Sequence, residues 1–214
     1  MLRVIGTVAP VPVVEVFADV VCAFTHFGLR HLATQRDQRG LDVQFRVRAW
    51  PLEWVNGHAA DPAATARQVD ALRAQLAPQM FSGFDASTFP TTSVPAFGLA
   101  SAAYEHDIDR GEQVSLAIRD ALFESGRDIS DERVLADIAA TFGVDPPSAA
   151  GAEDATRRDW EAGRARGVVG SPHFFTPDGE GFFCPSLEIS RGEGGPVVEY
   201  RAEMVDALLA GLCG

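Results

Sequence analysis

The chain has 214 residues, of which 46% are apolar and 22% are charged, a composition typical of a globular protein with a sizeable core. The net charge of −12 at pH 7 disfavours binding to nucleic acid and to anionic membranes. Lysine is absent, which excludes Schiff-base chemistry at a lysine amine, and three cysteines do not make a secreted disulfide framework. We therefore expect a cytoplasmic protein without a signal peptide or a membrane-spanning segment.

The first sixty residues predict a β-α-β unit. Val11–Phe17 is rich in valine and predicts a buried strand, and Val43–Ala49 alternates apolar with polar residues, as a half-buried strand does. Between them, Thr25–Gln38 has helical spacing and is ended by Gly40. Pro51 ends the second strand. A right-handed crossover would make the two strands parallel.

The region from 61 to 160 contains helical patterns and no strand pattern. Four or five helices are expected here, the first with Pro62 at its start and one with Ser130 as its N-cap. The Ser130 helix runs to Thr141 and stops at Gly143. We interpret residues 61–160 as an inserted helical domain and residues 11–60 with 161–214 as the domain into which it is inserted.

Strand patterns return near the C-terminus, after a helix over Glu153–Arg166. His173–Thr176 predicts a strand, a Pro-Asp-Gly turn follows at 177–179, and Phe182–Cys184 is expected to pair back as a hairpin. The pattern then predicts a loop over 193–196 and a closing helix over Tyr200–Leu212. One small mixed sheet built from both ends of the chain follows from this order of elements.

One cysteine lies where the first strand ends and the first helix begins. At this helix N-terminus, unpaired backbone N–H groups and the helix dipole favour a thiolate at Cys22. Thr25 is one turn away and could donate its hydroxyl to the sulfur, and His26 could add positive charge when protonated. The alternative is a buried, inert cysteine, which is common in proteins.

Two segments of the chain resemble the DsbA-like family of the thioredoxin superfamily. Phe17-x-Asp19-x-x-Cys22-x-x-Thr25-x-x-Gly28 is similar to the active-site segment of the family, and the run from Gly167 to Phe175 is similar to its cis-proline loop. The closest likeness is to the cytoplasmic branch with polyketide-associated oxidoreductases and 2-hydroxychromene-2-carboxylate isomerases.

The resemblance implies an α/β, thioredoxin-like fold with a central helical insertion. It also implies a cis bond before Pro172, with Cys22 as the nucleophile and Ser171 and Pro172 holding the backbone of a partner or a thiol cofactor. Phe24, His26 and His173 are the further residues expected at the substrate or thiol site. The alternative for Pro172 is an ordinary trans proline at the start of a strand.

The active-site segment departs from the family at two positions. The usual Cys-Pro-Trp-Cys is here Cys22-Ala23-Phe24-Thr25, so the sulfur that normally breaks a mixed disulfide internally is missing. The sequence therefore predicts a monothiol oxidoreductase in which a small thiol resolves the adduct on Cys22. Cys184 is a candidate for a relocated resolving sulfur. The alternative is that Cys184 is a buried strand cysteine, and the sequence leaves both open. Cys213, near the C-terminus, is the other candidate.

Other function classes also stay open. One is a thiol-dependent isomerase or glutathione-transferase-like enzyme acting on an aromatic small molecule, and another is a non-catalytic binding protein that kept the fold. No tightly bound cofactor and no metal site are expected, and the resemblance points to mycothiol or glutathione as the thiol. The arginines before the cis-proline loop could receive the carboxylates of such a thiol, or form a solvated helix face (Arg157, Arg158, Arg164 and Arg166). A monomer and a homodimer are both compatible with the acidic surface.

Overall fold

The structure, a computed structural model, describes residues 11–193 and 195–211. It begins with the predicted β-α-β unit: strand β1 (Val13–Ala18), helix α1 (Ala23–Arg39) and strand β2 (Gln44–Ala49). The two strands are parallel, with Val16 opposite Val47. Helix α1 ends at Gly40, whose φ of 62° is in the left-handed region that glycine adopts at low cost.

The predicted helical region follows β2, and in the described part of the chain it contains no strand. Its elements are α2 (Leu52–Asn56), α3 (Pro62–Gln75), a short 3₁₀ helix (Ala86–Thr88), α4 (Val94–His106), α5 (Ile108–Phe123), α6 (Glu132–Phe142) and α7 (Ala149–Ala165). Pro62 starts α3 and Gly143 ends α6, as predicted.

The predicted N-cap of α6 is wrong by one residue. Asp131 caps the helix, and its side chain accepts a hydrogen bond from the backbone N–H of Arg133 at 2.8 Å. The hydroxyl of Ser130 instead donates to Asp128, 2.6 Å away. Aspartate and serine are about equally good N-caps, so the sequence alone did not separate the two neighbours.

Helix α7 continues across position 160, where the sequence placed a domain boundary. Its Gly163 lies against the sheet domain, because a Cβ atom at that position would be 2.7 Å from the ring of Trp50 and 2.9 Å from that of Phe17. Glycine is therefore required for the close approach of α7 to the sheet. We propose the division into an inserted domain and a thioredoxin-like domain with α7 shared between them.

The C-terminal part supplies β3 (His173–Phe175), β4 (Gly181–Phe183), β5 (Leu187–Gly192), β6 (Gly195–Tyr200) and α8 (Ala202–Ala210). The main sheet has the order β2-β1-β3-β4, with β3 antiparallel to β1 and β4 antiparallel to β3, so the predicted hairpin is confirmed. The predicted end of the closing helix, Leu212, lies outside the described residues, and Tyr200 belongs to β6.

The loop predicted over 193–196 is shorter in the structure, because Gly195 and Pro196 belong to strand β6. Strands β5 and β6 form a second, two-stranded antiparallel sheet in which Gly192 pairs with Gly195. Most side chains of this hairpin are exposed, so it lacks the apolar alternation that marks a strand in a sequence. Pro196 favours a loop in a sequence. In a two-stranded sheet both strands are edge strands, where proline is tolerated because the backbone groups on the outer side have no neighbouring strand to bond.

The helical region covers the free edge of β2 with side chains. Along this edge, the backbone N–H of Phe45 donates to Glu112 at 2.9 Å, that of Val47 to the Tyr104 hydroxyl at 2.9 Å, and that of Ala49 to Asp159 at 3.0 Å. An uncovered edge would present these donors to another chain. The same bonds fix the helical region on the sheet that carries the active-site segment.

The two faces of the main sheet pack against different helices. Val16 of β1 shares a buried cluster with Leu32 of α1 and Leu208 of α8, whereas Phe17 shares one with Trp160 of α7. Successive side chains of a strand point to opposite faces, which explains this division. Helix α1 is thus on one face of the sheet and α7 on the other. No helix among residues 11–193 and 195–211 has the length and hydropathy needed to cross a membrane.

Candidate active site

Cys22 is the N-cap residue of α1, as the sequence predicted. Its backbone is extended, with φ of −82° and ψ of 111°, and its carbonyl accepts the first helical hydrogen bond from His26 at 3.1 Å. Only 7% of the residue surface is exposed. The thiol donates to the backbone carbonyl of Ser171 at 3.5 Å, which places the sulfur against a loop 149 residues away in sequence.

That loop contains the cis peptide bond expected from the resemblance, between Ser171 and Pro172. The loop leads directly into β3, the strand that pairs with β1. Strand β1 runs toward Cys22, and β3 runs away from Pro172. Because the two strands are antiparallel neighbours, the C-terminal end of β1 and the N-terminal end of β3 lie at the same end of the sheet. The sequence-predicted pair of Cys22 and Pro172 is therefore brought together by the fold.

The hydroxyl of Ser171 connects this loop to α1 and β1. It lies 2.9 Å from the hydroxyl of Thr25 and accepts a hydrogen bond from the backbone N–H of Asp19, also at 2.9 Å. Thr25 and Asp19 are fully buried. In this structure Thr25 thus hydrogen-bonds to Ser171, whereas the sequence suggested the sulfur of Cys22 as its partner.

His26 is fully buried and does not supply the positive charge that the sequence suggested. Its Nε2 lies 2.8 Å from a carboxylate oxygen of Glu124, and its ring stacks on Phe123 with ring centres 4.9 Å apart. Burial lowers the pKa of His26, and this outweighs the opposing effect of Glu124. A neutral imidazole that donates from Nε2 to the carboxylate satisfies this contact.

Glu124 binds more than His26. It also accepts hydrogen bonds from the backbone N–H groups of Phe81 at 2.8 Å and Ser82 at 3.1 Å. Partial burial opposes its ionisation, but these three donors lower the pKa of Glu124 to about 2. His26 therefore helps to fix the segment at 81–82 on α1, which is a structural role.

His173 lies on the face of the sheet opposite α1. Its ring stacks on Phe175 with ring centres 4.6 Å apart, and its Nδ1 accepts a hydrogen bond from the backbone of Val169 at 3.3 Å. Burial lowers the pKa of His173, and the nearby positive charge of Arg166 adds to this effect. His173 supports the loop before Pro172 from its far side, and the sequence could not assign the face without the strand register.

Phe24 lines a groove beside the active-site segment. The groove has a volume of about 470 Å³ and lies between α3 and the β5–β6 hairpin. Its other lining residues are Gln68, Ile189, Ser190, Arg191, Gly192, Gly195 and Pro196. Phe24 is the groove residue that the sequence predicted for the substrate or thiol site. The hairpin residues were not predicted, because the hairpin itself was not.

A family model for the DSBA-like thioredoxin domain matches residues 13–190, which include both the active-site segment and the cis-proline loop. The chain belongs to this family. The resemblance and the fold class predicted from the sequence are thereby confirmed, and the family assignment supports the predicted oxidoreductase class.

Solved structures share the fold of this DSBA-like chain at low sequence identity. A putative protein disulfide isomerase from Nitrosomonas europaea aligns with a TM-score of 0.61 and 15% identity over 94% of this chain and 97% of its own. A 2-hydroxychromene-2-carboxylate isomerase aligns with a TM-score of 0.58 and 16% identity over 80% of this chain and 88% of its own.

A third structure, the cytosolic disulfide reductase DsbM from Pseudomonas aeruginosa with GSH, aligns with a TM-score of 0.52 and 17% identity over 94% of this chain and 96% of its own. At these identities the likenesses establish the fold alone. A search of curated proteins finds no match to this sequence.

A buried aspartate and a buried arginine brace the turn before Cys22 in this DSBA-like chain. The Asp19 carboxylate accepts hydrogen bonds from the backbone of Val21 at 3.1 Å and of Leu52 at 2.6 Å, and from the Ser93 hydroxyl at 2.8 Å. The guanidinium of Arg119 donates to the Asp19 carbonyl at 3.2 Å. These contacts tie the turn to α2, α4 and α5.

Burial acts on both charged groups of this brace. It raises the pKa of Asp19, although the three hydrogen bonds oppose that effect, and it lowers the pKa of Arg119 to about 10. Arg119 was not among the residues predicted from the sequence. The sequence could have revealed this residue, because Arg119 lies between the apolar residues Ile118 and Leu122 on α5, at a position where a core residue is expected.

Three of the four arginines before the cis-proline loop have partners within the protein, two on α7 and one on β1. Arg157 pairs with Glu153 at 2.5 Å, Arg164 lies 4.9 Å above the ring of Trp160, and Arg166 bonds Glu15. These contacts favour the solvated helix face over capture of a thiol cofactor. Among the described residues, no group of three histidine, cysteine, aspartate or glutamate side chains is arranged to hold a metal ion.

Cys184 lies on the other side of the cis-proline loop. Its backbone N–H donates to the carbonyl of Pro172 at 2.9 Å, and its φ of 44° is in the left-handed region that non-glycine residues rarely adopt. Only 4% of the residue is exposed. Burial, together with the negative charge of a Cys22 thiolate, raises the pKa of Cys184 to about 12. Cys213, the other thiol considered, lies outside the described residues.

Proposed function

We propose that this protein is a thiol-disulfide oxidoreductase whose reaction begins with a single catalytic sulfur, that of Cys22. The observation that carries the proposal is the contact of the Cys22 thiol with the Ser171 carbonyl, at a helix N-terminus and beside a cis proline. Thr25, at the position of the second family cysteine, supplies a hydroxyl instead of a thiol. The two sulfur-exchange steps therefore cannot both take place within the Cys-x-x-Thr segment.

The reaction at Cys22 has two balanced steps. The Cys22 thiolate attacks one sulfur of a disulfide, a mixed disulfide forms on Cys22, and the other half leaves as a thiolate that takes up a proton. A small thiol, as its thiolate, then attacks the mixed disulfide on the substrate sulfur and releases the Cys22 thiolate. One half of the substrate is now a free thiol, and the other half is in a mixed disulfide with the small thiol. A second equivalent of small thiol attacks the small-thiol sulfur of that mixed disulfide, which releases the other half of the substrate as a thiol and gives the disulfide of the small thiol.

Thr25 and Ser171 support this reaction in the proposal. Because the Ser171 hydroxyl already accepts the Asp19 N–H, it can donate its own proton to Thr25. The proton of Thr25 is then available to a thiolate at Cys22, one helical turn away. Ser171 and Pro172 also offer backbone groups to the substrate, as the family resemblance implies.

The groove beside Phe24 is the proposed site for the small thiol. Its hairpin wall includes Ile189, which is 41% exposed, and Arg191, whose guanidinium could receive a carboxylate. Glutathione and mycothiol both carry anionic or polar groups around a thiol. The proposal of glutathione is supported by the DsbM structure with GSH, and a cytoplasmic location agrees with the need for a reducing thiol pool.

The test is the reduction of a small disulfide by glutathione with catalytic amounts of protein, followed through the glutathione disulfide produced. The wild-type protein is expected to accelerate the reaction, and both Cys22→Ser and Cys22→Ala are expected to run at the rate without protein. Equal acceleration by wild-type and Cys22→Ser protein would overturn the proposal.

The second candidate is a thiol-dependent isomerase or transferase for an aromatic small molecule. It is favoured by the groove itself, because Phe24, Ile189 and Pro196 give it an apolar lining suited to an aromatic substrate. Such an enzyme would bind the thiol without a covalent step at Cys22. Its activity would need added thiol and would survive Cys22→Ser, which separates the two candidates. A non-catalytic binding protein would show no turnover with either thiol.

A further inference from the structure

The cis-proline loop is contacted by two cysteines, one from each side. The Cys22 thiol lies 3.5 Å from the Ser171 carbonyl, and the backbone N–H of Cys184 lies 2.9 Å from the Pro172 carbonyl. The two carbonyls belong to adjacent residues. Two residues further on, the side chain of Ser186 lies against α1, because a Cβ atom at Gly28 would be 3.5 Å from the Ser186 hydroxyl. The segment that carries Cys184 therefore packs on the helix that Cys22 caps, and Cys184 belongs to the same large buried cluster as Ala23 and Phe27.

The position of Cys184 follows from the sheet. Strand β4 pairs with β3 so that Phe183 is opposite His173, and Cys184 comes directly after that pair, beside Pro172. Its left-handed backbone turns the chain away from β4 toward β5, which begins at Leu187. A cysteine here is 162 residues from Cys22 in sequence and adjacent to the same loop in space.

We propose that Cys184 is an internal resolving sulfur, which attacks the mixed disulfide on Cys22 and forms a Cys22–Cys184 disulfide. This inference rests on the proposed function, since it needs the adduct that Cys22 forms with a disulfide substrate. In the step, the Cys184 sulfur bonds to the Cys22 sulfur, the bond from Cys22 to the substrate sulfur breaks, and the substrate leaves as a thiolate. The proton lost by Cys184 is taken up by that thiolate.

The resulting internal disulfide is an oxidised form of the protein. Two equivalents of small thiol return it to the dithiol form, with one disulfide of the small thiol as product. The internal step therefore competes with direct attack by the small thiol on the adduct and becomes dominant when that thiol is scarce.

The burial of both sulfurs fits an internal exchange. Cys184 is 4% exposed, so reagents in solution have little access to its sulfur. A sulfur of the same chain that is held beside the same loop does not have to enter from solution. The charge of a Cys22 thiolate contributes to the raised pKa of Cys184. When Cys22 carries a substrate in a mixed disulfide it has no charge, so that contribution is removed. Cys184 thus becomes easier to ionise only after the first step.

The experiment uses the full chain with Cys213→Ser in every variant, so that the third thiol takes no part. Reduced protein is mixed with glutathione disulfide, quenched in acid after a range of times, and analysed by intact mass and by peptide mapping. The protein with both cysteines is expected to gain glutathione transiently and then lose it, leaving a cross-linked peptide pair that contains Cys22 and Cys184 and lacks two hydrogens.

The variants Cys184→Ala and Cys184→Ser are expected to keep the glutathione on Cys22. The serine variant serves where the smaller alanine side chain disturbs the packing. An adduct on Cys22 that persists equally with and without Cys184 would overturn the internal step and leave the proposed function in place. Failure of any adduct to form on Cys22 would overturn the proposed function as well.

Discussion

The hydroxyl groups of Ser171 and Thr25 lie 2.9 Å apart, and this contact joins the cis-proline loop to the first turn of α1. The same Ser171 oxygen accepts the N–H of Asp19, at the end of β1. The Ser171 hydroxyl therefore links the cis-proline loop to Thr25, 146 residues earlier in the chain, and to Asp19, 152 residues earlier. In a family that usually has a second cysteine at position 25, this threonine gives the loop a hydrogen-bonding partner.

Replacing Ser171 by alanine should weaken both the fold and the reaction. The N–H of Asp19 would lose its acceptor in a fully buried position, which costs about 1–3 kcal/mol of unfolding free energy. Urea denaturation measures this loss. Ser125→Ala, at an exposed position, is the control and should change stability by less than about 0.5 kcal/mol. Equal stability of the two variants would contradict the linking role of Ser171.

The substitution Thr25→Cys should restore a dithiol active site. The new thiol would lie one turn from Cys22, at the position where the family has its resolving sulfur, so the internal exchange would become fast. We expect a gain of about tenfold or more in the rate at which dithiothreitol reduces insulin in its presence. Thr34→Cys, which adds a thiol at an exposed position on the same helix, is the control. An equal gain in both variants would show that position 25 has no special geometry.

Acid should destabilise the protein in two steps. The pKa of Glu124 is about 2 in the folded protein and 4.5 ordinarily. Its carboxylate therefore makes its full contribution to the unfolding free energy above pH 4.5, and this contribution is lost as the pH falls toward 2. Burial lowers the pKa of His26 below 6.5, so the unfolded chain takes up a proton there that the folded chain does not. Stability should therefore begin to fall below pH 6.5 and continue to fall to about pH 2.

The variant Glu124→Gln separates the two steps. It should flatten the loss of stability between pH 4.5 and 2, because the depressed carboxylate is gone, and lower the stability at pH 7. Unfolding free energies across this pH range give the comparison, with Glu105→Gln, an exposed residue, as the control. A variant with the same pH profile as the wild type would show that Glu124 is not held as a carboxylate by its three donors.

Tyr104→Phe tests how the edge of β2 is covered. The hydroxyl accepts from the N–H of Val47 at 2.9 Å and donates to the carbonyl of Phe45 at 3.0 Å. Its removal leaves two buried backbone groups without a partner, which should cost roughly 2–4 kcal/mol. Tyr200→Phe removes a hydroxyl from a more exposed position and should cost less. Equal losses measured by urea denaturation would contradict this account.

The sequence predicted the elements that have a strong local pattern. The apolar run of β1, the alternation of β2 and the stop of α1 at Gly40 all depend on residues close together in the chain, and the structure has them where they were expected. The positions of Cys22 and Pro172 were predictable because the family resemblance joins two distant segments. The β5–β6 hairpin was not, because its exposed side chains and Pro196 give no strand signal.

The environments of individual side chains were harder to predict. The partner of His26 is Glu124, 98 residues away in sequence, and the partner of the Asp19 backbone is Ser171. Such contacts depend on how helices of the inserted region lie on the sheet, which local patterns do not contain. The buried Arg119 is of the same kind, since a charged residue on an apolar helix face indicates a partner without naming it.

The most direct test of the account is the rate at which iodoacetamide alkylates Cys22 at pH 7, measured by mass spectrometry of its peptide beside that of Cys184. An activated sulfur at the helix N-terminus predicts that Cys22 reacts faster than free cysteine under the same conditions, despite its 7% exposure, and that Cys184 stays largely unmodified. A Cys22 that reacts no faster than free cysteine, or not at all, would contradict a catalytic sulfur at this position.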